Sequence, residues 1–492
     1  MKNVYRMLAK RSIGVAIVLF WCFMNAWLLK RELWAPPSPI TLRSTARIAE
    51  TIEEWWGVYY RGEKIGYAHQ TITPETAGYK VHDASDLRLQ LLGATRAVST
   101  RLEIDVDEEW TLRRFDFNLQ SNDIKFRARG AVTPGKLTLD VDSAGNTTRK
   151  EIPLSQAPYL MAALKPYVAT QQLEPGRQHF FVTFDPATLS QQTTAVTIEG
   201  REHIRIGQRL EPAIRIRQQF KGISVLSWID GTGRTLREES PAGLSLVQQS
   251  AEEARSLSGS RSVPLDLVTQ TAITPDKPIF TPKHSLTLKL TGITLANFPL
   301  VNGSRQRLEG EHLRITRDGV DQLPSISLPI RDRRFAAFLE STPFLQSDHP
   351  RIRALAKDIV RGEQDARRAA VRIKNWVHRE IVKEPTVSIP NALEVLQTKK
   401  GDCNEHTVLF NALARAAGIP AKTAIGIVYL RGAFYYHAWS EIWLGEWISL
   451  DAVLDQFPAD VTHVKFLEGE IDRQIDILQL IGALKIQVLE AG

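Results

Sequence analysis

The chain has 492 residues, 43% of them hydrophobic and 24% charged, with a formal net charge of +7. That length exceeds one ordinary core, so two or three domains are expected, and the composition excludes a disordered chain. Basic residues are interspersed with acidic ones and form no basic run interleaved with aromatics, so nucleic acid is not an expected partner.

In chain order, Lys2, Arg6, Lys10 and Arg11 precede Ser12 to Leu29, an uncharged run of eighteen residues. The run is near the lower limit for spanning a bilayer and longer than a signal-peptide core of about 7–15 residues. No small-residue cleavage site follows it, and Trp21 before Cys22 argues against lipoprotein processing. The basic flank puts the N-terminus inside. The expectation is a cytoplasmic tail (1–11), an uncleaved transmembrane anchor (12–29) and a spacer (30–50) built on Pro36-Pro37-Ser38-Pro39. The body would then stand outside the cytoplasmic (inner) membrane, in the periplasm of a cell envelope.

Residues 51–249 alternate in polarity between Gly, Asp and Asn turns and predict an antiparallel β domain, with a helix over 155–168 covering its dry face. Residues 250–345 predict a linker and a second β-rich segment, Ser285 to Leu290 being its clearest strand. Apolar residues at helical spacing follow over 348–361 and 365–382, with a short helix at 392–396. The remaining tail, 471–492, is expected to be helix or coil. The fold class expected is α+β.

Cys403 is the only cysteine outside the N-terminal run. Val408, Leu409, Ala412, Leu413 and Ala416 predict a helix that starts at it and ends at Gly418-Ile419-Pro420. On the first helical turn the macrodipole and the unpaired N–H groups favour the thiolate. A strand over 423–430 follows, then one carrying His437 and a third ending at Asp451. Asp451 reaches the His437 face only if the hairpin loop has odd length, with Leu444-Gly445-Glu446 as the turn and Trp443 opposite Trp447. Cys on a helix, His on one strand and Asp on the next is the set that papain-type acyl transfer requires.

The stretch Gly401-Asp402-Cys403, Gly418-Ile419-Pro420-Ala421, His437-Ala438-Trp439 and Trp447-Ile448-Ser449-Leu450-Asp451 resembles the core of the transglutaminase-like superfamily, in its bacterial branch. The tail Phe457 to His463 is similar to that branch too, and the whole likeness spans 346–470. It departs where Asp451-Ala452-Val453 stands in place of the frequent Asp-Pro-Thr. The resemblance implies a Cys403 nucleophile, a His437 general base and acid, and an orienting Asp451. It also implies a protein or peptide substrate.

Asp455 and Asp460 compete for the third role but lie beyond the strand end. Glu405 is read as complementing the helix N-terminus and His406 as fixing the loop. His378 and His463 lack metal-ligand spacing, so no metal and no cofactor are expected. The reaction implied is thioester formation at an amide, resolved by water or an amine, with hydrolysis the default. The alternative is a noncatalytic envelope module whose β domain binds a ligand.

Overall fold

The computed structural model describes residues 48–492 apart from 123, 171–174, 241–242, 257–265 and 281–283. One antiparallel sheet of fourteen strands dominates it. Eight strands meander from Ile52–Tyr60 to Asn146–Pro153, and six more return from Gln178–Asp185 to Leu244–Gln248. The last pairs with the first, Trp56 opposite Gln248.

The sheet curls on itself. Phe115 and Phe184, on strands far apart in its order, bring their rings to 5.4 Å. Tyr159 bridges Thr111, just before the interior strand Leu112–Ser121, and Thr183 on the edge strand Gln178–Asp185. The helix Met161–Thr170 follows, and Leu164, Tyr167 and Val168 enter the core enclosed by the sheet. The strand alternation that sends Ile72, Val81, Ile104 and Phe126 inward therefore has an enclosed face to fill.

The remainder packs as helices and two four-stranded sheets. In the first sheet, Ser285–Thr291 lies between His312–Thr316 and the C-terminal strand Lys485–Ala491. Of residues 471–492, read as a C-terminal helix or tail, Ile471–Gln474 is a short helix, and only Lys485–Ala491 returns as a strand to complete the second β segment. In the other sheet the order is Trp447–Leu450, Ala433–Trp443, Ala421–Leu430, Val464–Glu468. Helices Pro350–Val360, Ala366–Glu380, Ala392–Thr398 and Cys403–Ala416 cover it. Gly418 ends the last of these with φ 83°, and a Cβ there would stand 2.4 Å from Pro329 Cβ.

The expected N-terminal membrane-spanning helix is corrected. Residues 12–29 lie outside the described residues, and no helix among those described is long and apolar enough to cross a membrane. The 15 residues of Ala366–Glu380 rise about 22 Å, short of a hydrocarbon core about 30 Å thick, and carry Arg367, Arg368, Arg372, Lys374 and Arg379. The class is β-rich with a helical layer on one small sheet, and the single-pass inner-membrane placement is withdrawn with the helix.

Two strands of the small sheet approach so closely that one position excludes a side chain. A Cβ on Gly426 would sit 1.9 Å from Val464 O, where the register between Ala421–Leu430 and Val464–Glu468 shifts. Gly426→Ala is expected to push the Val464 strand away and to lower unfolding stability by about 1–3 kcal/mol or more. Urea denaturation checks this, and an unchanged midpoint would show that the strand yields freely.

Candidate active site

Asp402 caps the helix Cys403–Ala416. Its carboxylate accepts the Asn404 N–H at 2.9 Å, and Glu405 reaches back to the Asp402 N–H at 2.9 Å, completing a capping box. Ser388 donates to the other Glu405 oxygen. His406 turns into the protein body, its Nδ1 2.7 Å from the Asp402 carbonyl, and is fully buried. Glu405 and His406 thus both belong to the helix start.

That start does not make the thiol acidic. Burial pushes the Cys403 thiol well above its usual range, the nearby Asp402 adds to the rise, and the Ala438 N–H bonded to the sulfur opposes it. The expected dipole effect is outweighed chiefly by burial of the thiol, and the acidic capping groups on the same turn add to it. Asp402 is itself pushed up by burial and by Glu405.

The helix docks on the strand Ala433–Trp443 through Tyr436, whose hydroxyl donates to Asn404 Oδ1 at 3.1 Å, and through Ala438. Thr407 Oγ1 donates to the Ala438 carbonyl at 3.1 Å, while the Ala438 N–H meets the Cys403 sulfur. Those groups are available because Trp447–Leu450 stops pairing at Ser440–Leu450, leaving the next edge residues unclaimed. Cys403 therefore lies against the immediate neighbour of His437, with part of its surface still exposed.

The hairpin has the odd loop. Trp443 pairs with Trp447, Leu444 N–H bonds Glu446 O at 2.9 Å, and Gly445 takes φ 94°. Asp451 follows the last pair on the His437 side, and its Oδ2 lies 2.6 Å from His437 Nε2. Burial would raise this carboxyl, but the His437 imidazole and hydrogen bond, with those of His463, hold it well below the usual carboxylate range. An ionised Asp451 only accepts, so Nε2 carries the proton and Nδ1 is the nitrogen free to take one.

Asp451 Oδ1 accepts the N–H groups of Val453 (2.6 Å) and Leu454 (3.0 Å), which close the turn after the strand. The backbone thus supplies what the departure from Asp-Pro-Thr removed. Asp455, the first competitor for this role, faces away and pairs with Lys374. His378 bonds the Ala452 carbonyl at 3.0 Å.

The residue that sequence reasoning missed is His463. Fully buried, it lies with Nε2 3.0 Å from Asp451 Oδ2 and Nδ1 3.2 Å from Asp460 Oδ1. With a carboxylate on each nitrogen it is an imidazolium, and its pKa is raised: burial lowers it, and both carboxylates more than compensate. Asp460, the second competitor, is thus one imidazole removed from Asp451. The only signal for it in the sequence is the tail Phe457 to His463, since metal-ligand spacing does not single it out.

His437, Asp451 and His463 bring ligand atoms within 4.8 Å of one another, the reach of a bound cation. The 2.6 and 3.0 Å contacts are hydrogen bonds, however, and with the two backbone N–H groups they occupy all four acceptor positions of Asp451. Trp439 packs across both imidazoles, its ring centroid 6.2 Å from that of His437 and 5.1 Å from that of His463.

Residues 353–452 match the family model of the transglutaminase-like superfamily. No curated protein sequence matches the chain. Among solved structures it is similar to a "putative cysteine protease" from Cytophaga hutchinsonii, at 19% identity over 44% of this chain and 79% of that one, with a TM-score of 0.28. It is also similar to a β-barrel-like protein of a domain of unknown function, DUF1849, from Brucella abortus (9% identity, 42% of this chain and 98% of that one, TM-score 0.34). A "putative protease" from Parabacteroides distasonis is similar at 11% identity over 69% of this chain and 64% of that one, with a TM-score of 0.21. Cys403, His437 and Asp451 all fall inside the matched segment, and the chain carries a transglutaminase-like superfamily domain at residues 353–452.

Proposed function

We propose that this domain is a thiol active site acting on amide bonds of protein or peptide substrates through Cys403, His437 and Asp451. The observation that carries the reading is the 2.6 Å bond from His437 Nε2 to a buried carboxylate, with the sulfur of Cys403 hydrogen-bonded to the very next residue of the strand. A superfamily of thiol enzymes is the context that supports it.

Because the thiol is held in its protonated form, His437 Nδ1 removes the proton as sulfur attacks the carbonyl carbon. The oxygen that gains charge faces the Cys403 N–H, a first-turn donor that no intrahelical carbonyl can reach. Collapse of the tetrahedral adduct breaks the C–N bond, His437 returns its proton to the leaving amine, and a thioester remains. Water or a second amine then attacks the thioester with His437 again as base, which frees the acid or a new amide and restores the thiol. Asp451 holds the imidazole in the one tautomer that serves both halves.

Iodoacetamide distinguishes this route from a preformed thiolate–imidazolium pair. Alkylation of the free protein is expected to be slow near neutrality and to accelerate only above pH 9.0, the ordinary thiol value. His437→Gln should leave that profile in place, yet lower peptide turnover, followed by mass spectrometry of a peptide mixture, by about 10²–10⁴-fold. Cys403→Ala should abolish both. Fast alkylation at neutral pH would overturn the general-base step, and turnover by Cys403→Ala would overturn the site.

His463 is assigned as a positioning residue, and linkage gives its test. Its raised pKa adds stability that is complete below the ordinary value of 6.5 and is lost as pH rises through the folded value. The depressed pKa of Asp451 adds stability complete above 3.8 and lost as pH falls through its folded value. His463→Asn should therefore cost most between those limits, about 3–5 kcal/mol in urea unfolding, and less in alkaline buffer. It should also lower kcat with little change in KM. A cost independent of pH would reduce His463 to packing.

A further inference from the structure

On the inward face of the large sheet one row of side chains is acidic or amide. Glu54, Gln70 and Asp83 stand opposite one another on three successive strands, Glu54 paired with Gln70 and Gln70 with Asp83. Across the enclosed space Glu238 and Gln218 point in from strands of the returning half, and Lys165 from the helix Met161–Thr170. These side chains line one cavity of about 290 Å³, walled on its apolar sides by Trp56 and Phe220.

The charges do not balance. Three carboxyl groups share one ammonium, and Lys165 is already committed to Glu238 at 2.6 Å. Among the described residues Glu54 accepts only from the Thr235 N–H, at 3.0 Å, and Asp83 only from the Gln70 amide, at 3.1 Å. Burial consequently pushes Glu54 up to about 7 and raises Asp83 as well, while Glu238, with its ammonium, stays low. Gln218 supplies a second and independent sign. It is 2% exposed, it faces the cavity, and its Nε2 has no hydrogen-bond partner. A buried amide donor left open costs about 1–3 kcal/mol, and a buried acid without a counter-charge, as at Glu54, costs more.

We propose that this cavity is a binding site for a small organic ammonium ion that also carries a carbonyl oxygen, a ligand of amino-acid-amide size. The ammonium would sit between Glu54 and Asp83, and the carbonyl would accept from Gln218 Nε2. At about 30 Å³ per water-sized group the space holds roughly ten such groups, enough for that ligand and too little for a folded peptide. The site is formed by the β domain alone, so it stands whether or not Cys403 is catalytic.

Calorimetry on the full chain near neutral pH tests it with three molecules of one shape. L-alaninamide has both groups, isobutyramide replaces the ammonium by a methyl, and 3-methyl-2-butylamine replaces the carboxamide by an isopropyl group. Alaninamide is expected to bind at least about tenfold more tightly than either. Glu54→Gln and Asp83→Asn should each weaken alaninamide by about tenfold or more, and Gln218→Leu should erase its advantage over 3-methyl-2-butylamine. Thermal melting without ligand guards against misfolding. Removing an uncompensated acid should leave Tm of the Gln and Asn variants equal or higher. Equal affinity for alaninamide and isobutyramide, no binding of alaninamide, or a lowered Tm in both acid variants would each overturn the proposal.

Discussion

A carboxylate that is 1% exposed must have every lone pair occupied, and Asp451 is the group on which the rest of the small sheet depends. One oxygen takes two backbone N–H groups and so dictates the turn at 452–454. The other takes two imidazoles, one from the adjacent strand and one from a loop 12 residues on. Ionisation of Asp451 is thereby tied to the proton on His437 Nε2 and to the charge on His463. The chain ends up with an imidazole whose orientation cannot relax without exposing a buried charge, a stiffness that proton transfer needs.

The parts legible in the sequence are those governed by short-range rules. Helical spacing placed the helix that begins at Cys403, and the parity of a three-residue loop put Asp451 on the His437 side. What stayed hidden depends on contacts between distant segments. His463 sits outside any periodic element, and its two carboxylate partners emerge only once the loop at 456–463 folds back on the strand end. The thiol misled for a related reason. A helix N-terminus is electropositive in isolation, but here burial of the thiol itself outweighs the dipole, and the acidic cap Asp402 adds to the rise. Alternation in the β domain announced strands and a dry face, but alternation is silent on which strand closes against which. The meeting of Leu244–Gln248 with Ile52–Tyr60 across nearly two hundred residues of chain was therefore not readable.

The matched segment, residues 353–452, is not a self-sufficient unit in this chain. Arg305, 7% exposed, reaches from the second β segment to the carbonyls of Ala459 (3.2 Å) and Asp460 (2.6 Å) and to Ser449 Oγ. Its neighbour Gln306 exchanges two hydrogen bonds with the backbone of Lys465, at 2.6 and 2.9 Å. The loop that delivers His463 is thus gripped on both sides by residues more than a hundred and fifty positions earlier. On the other flank, Arg96 of the large sheet bonds Glu384 at 2.8 Å and the Pro385 carbonyl at 2.9 Å. The Glu384 N–H in turn bonds the carbonyl of Gly401, two residues before the thiol.

Each side of the candidate site is consequently braced by a different β segment, through polar contacts added to the apolar packing that the segments share. Such contacts hold direction better than a hydrophobic interface does, since a hydrogen bond weakens steeply with angle and dispersion hardly does. A guanidinium spread over two carbonyls fixes the plane of the turn beneath it. The extra domains therefore act on the thiol and the imidazole through backbone position, and a lost Arg305 or Arg96 would displace the reacting groups without removing any of them.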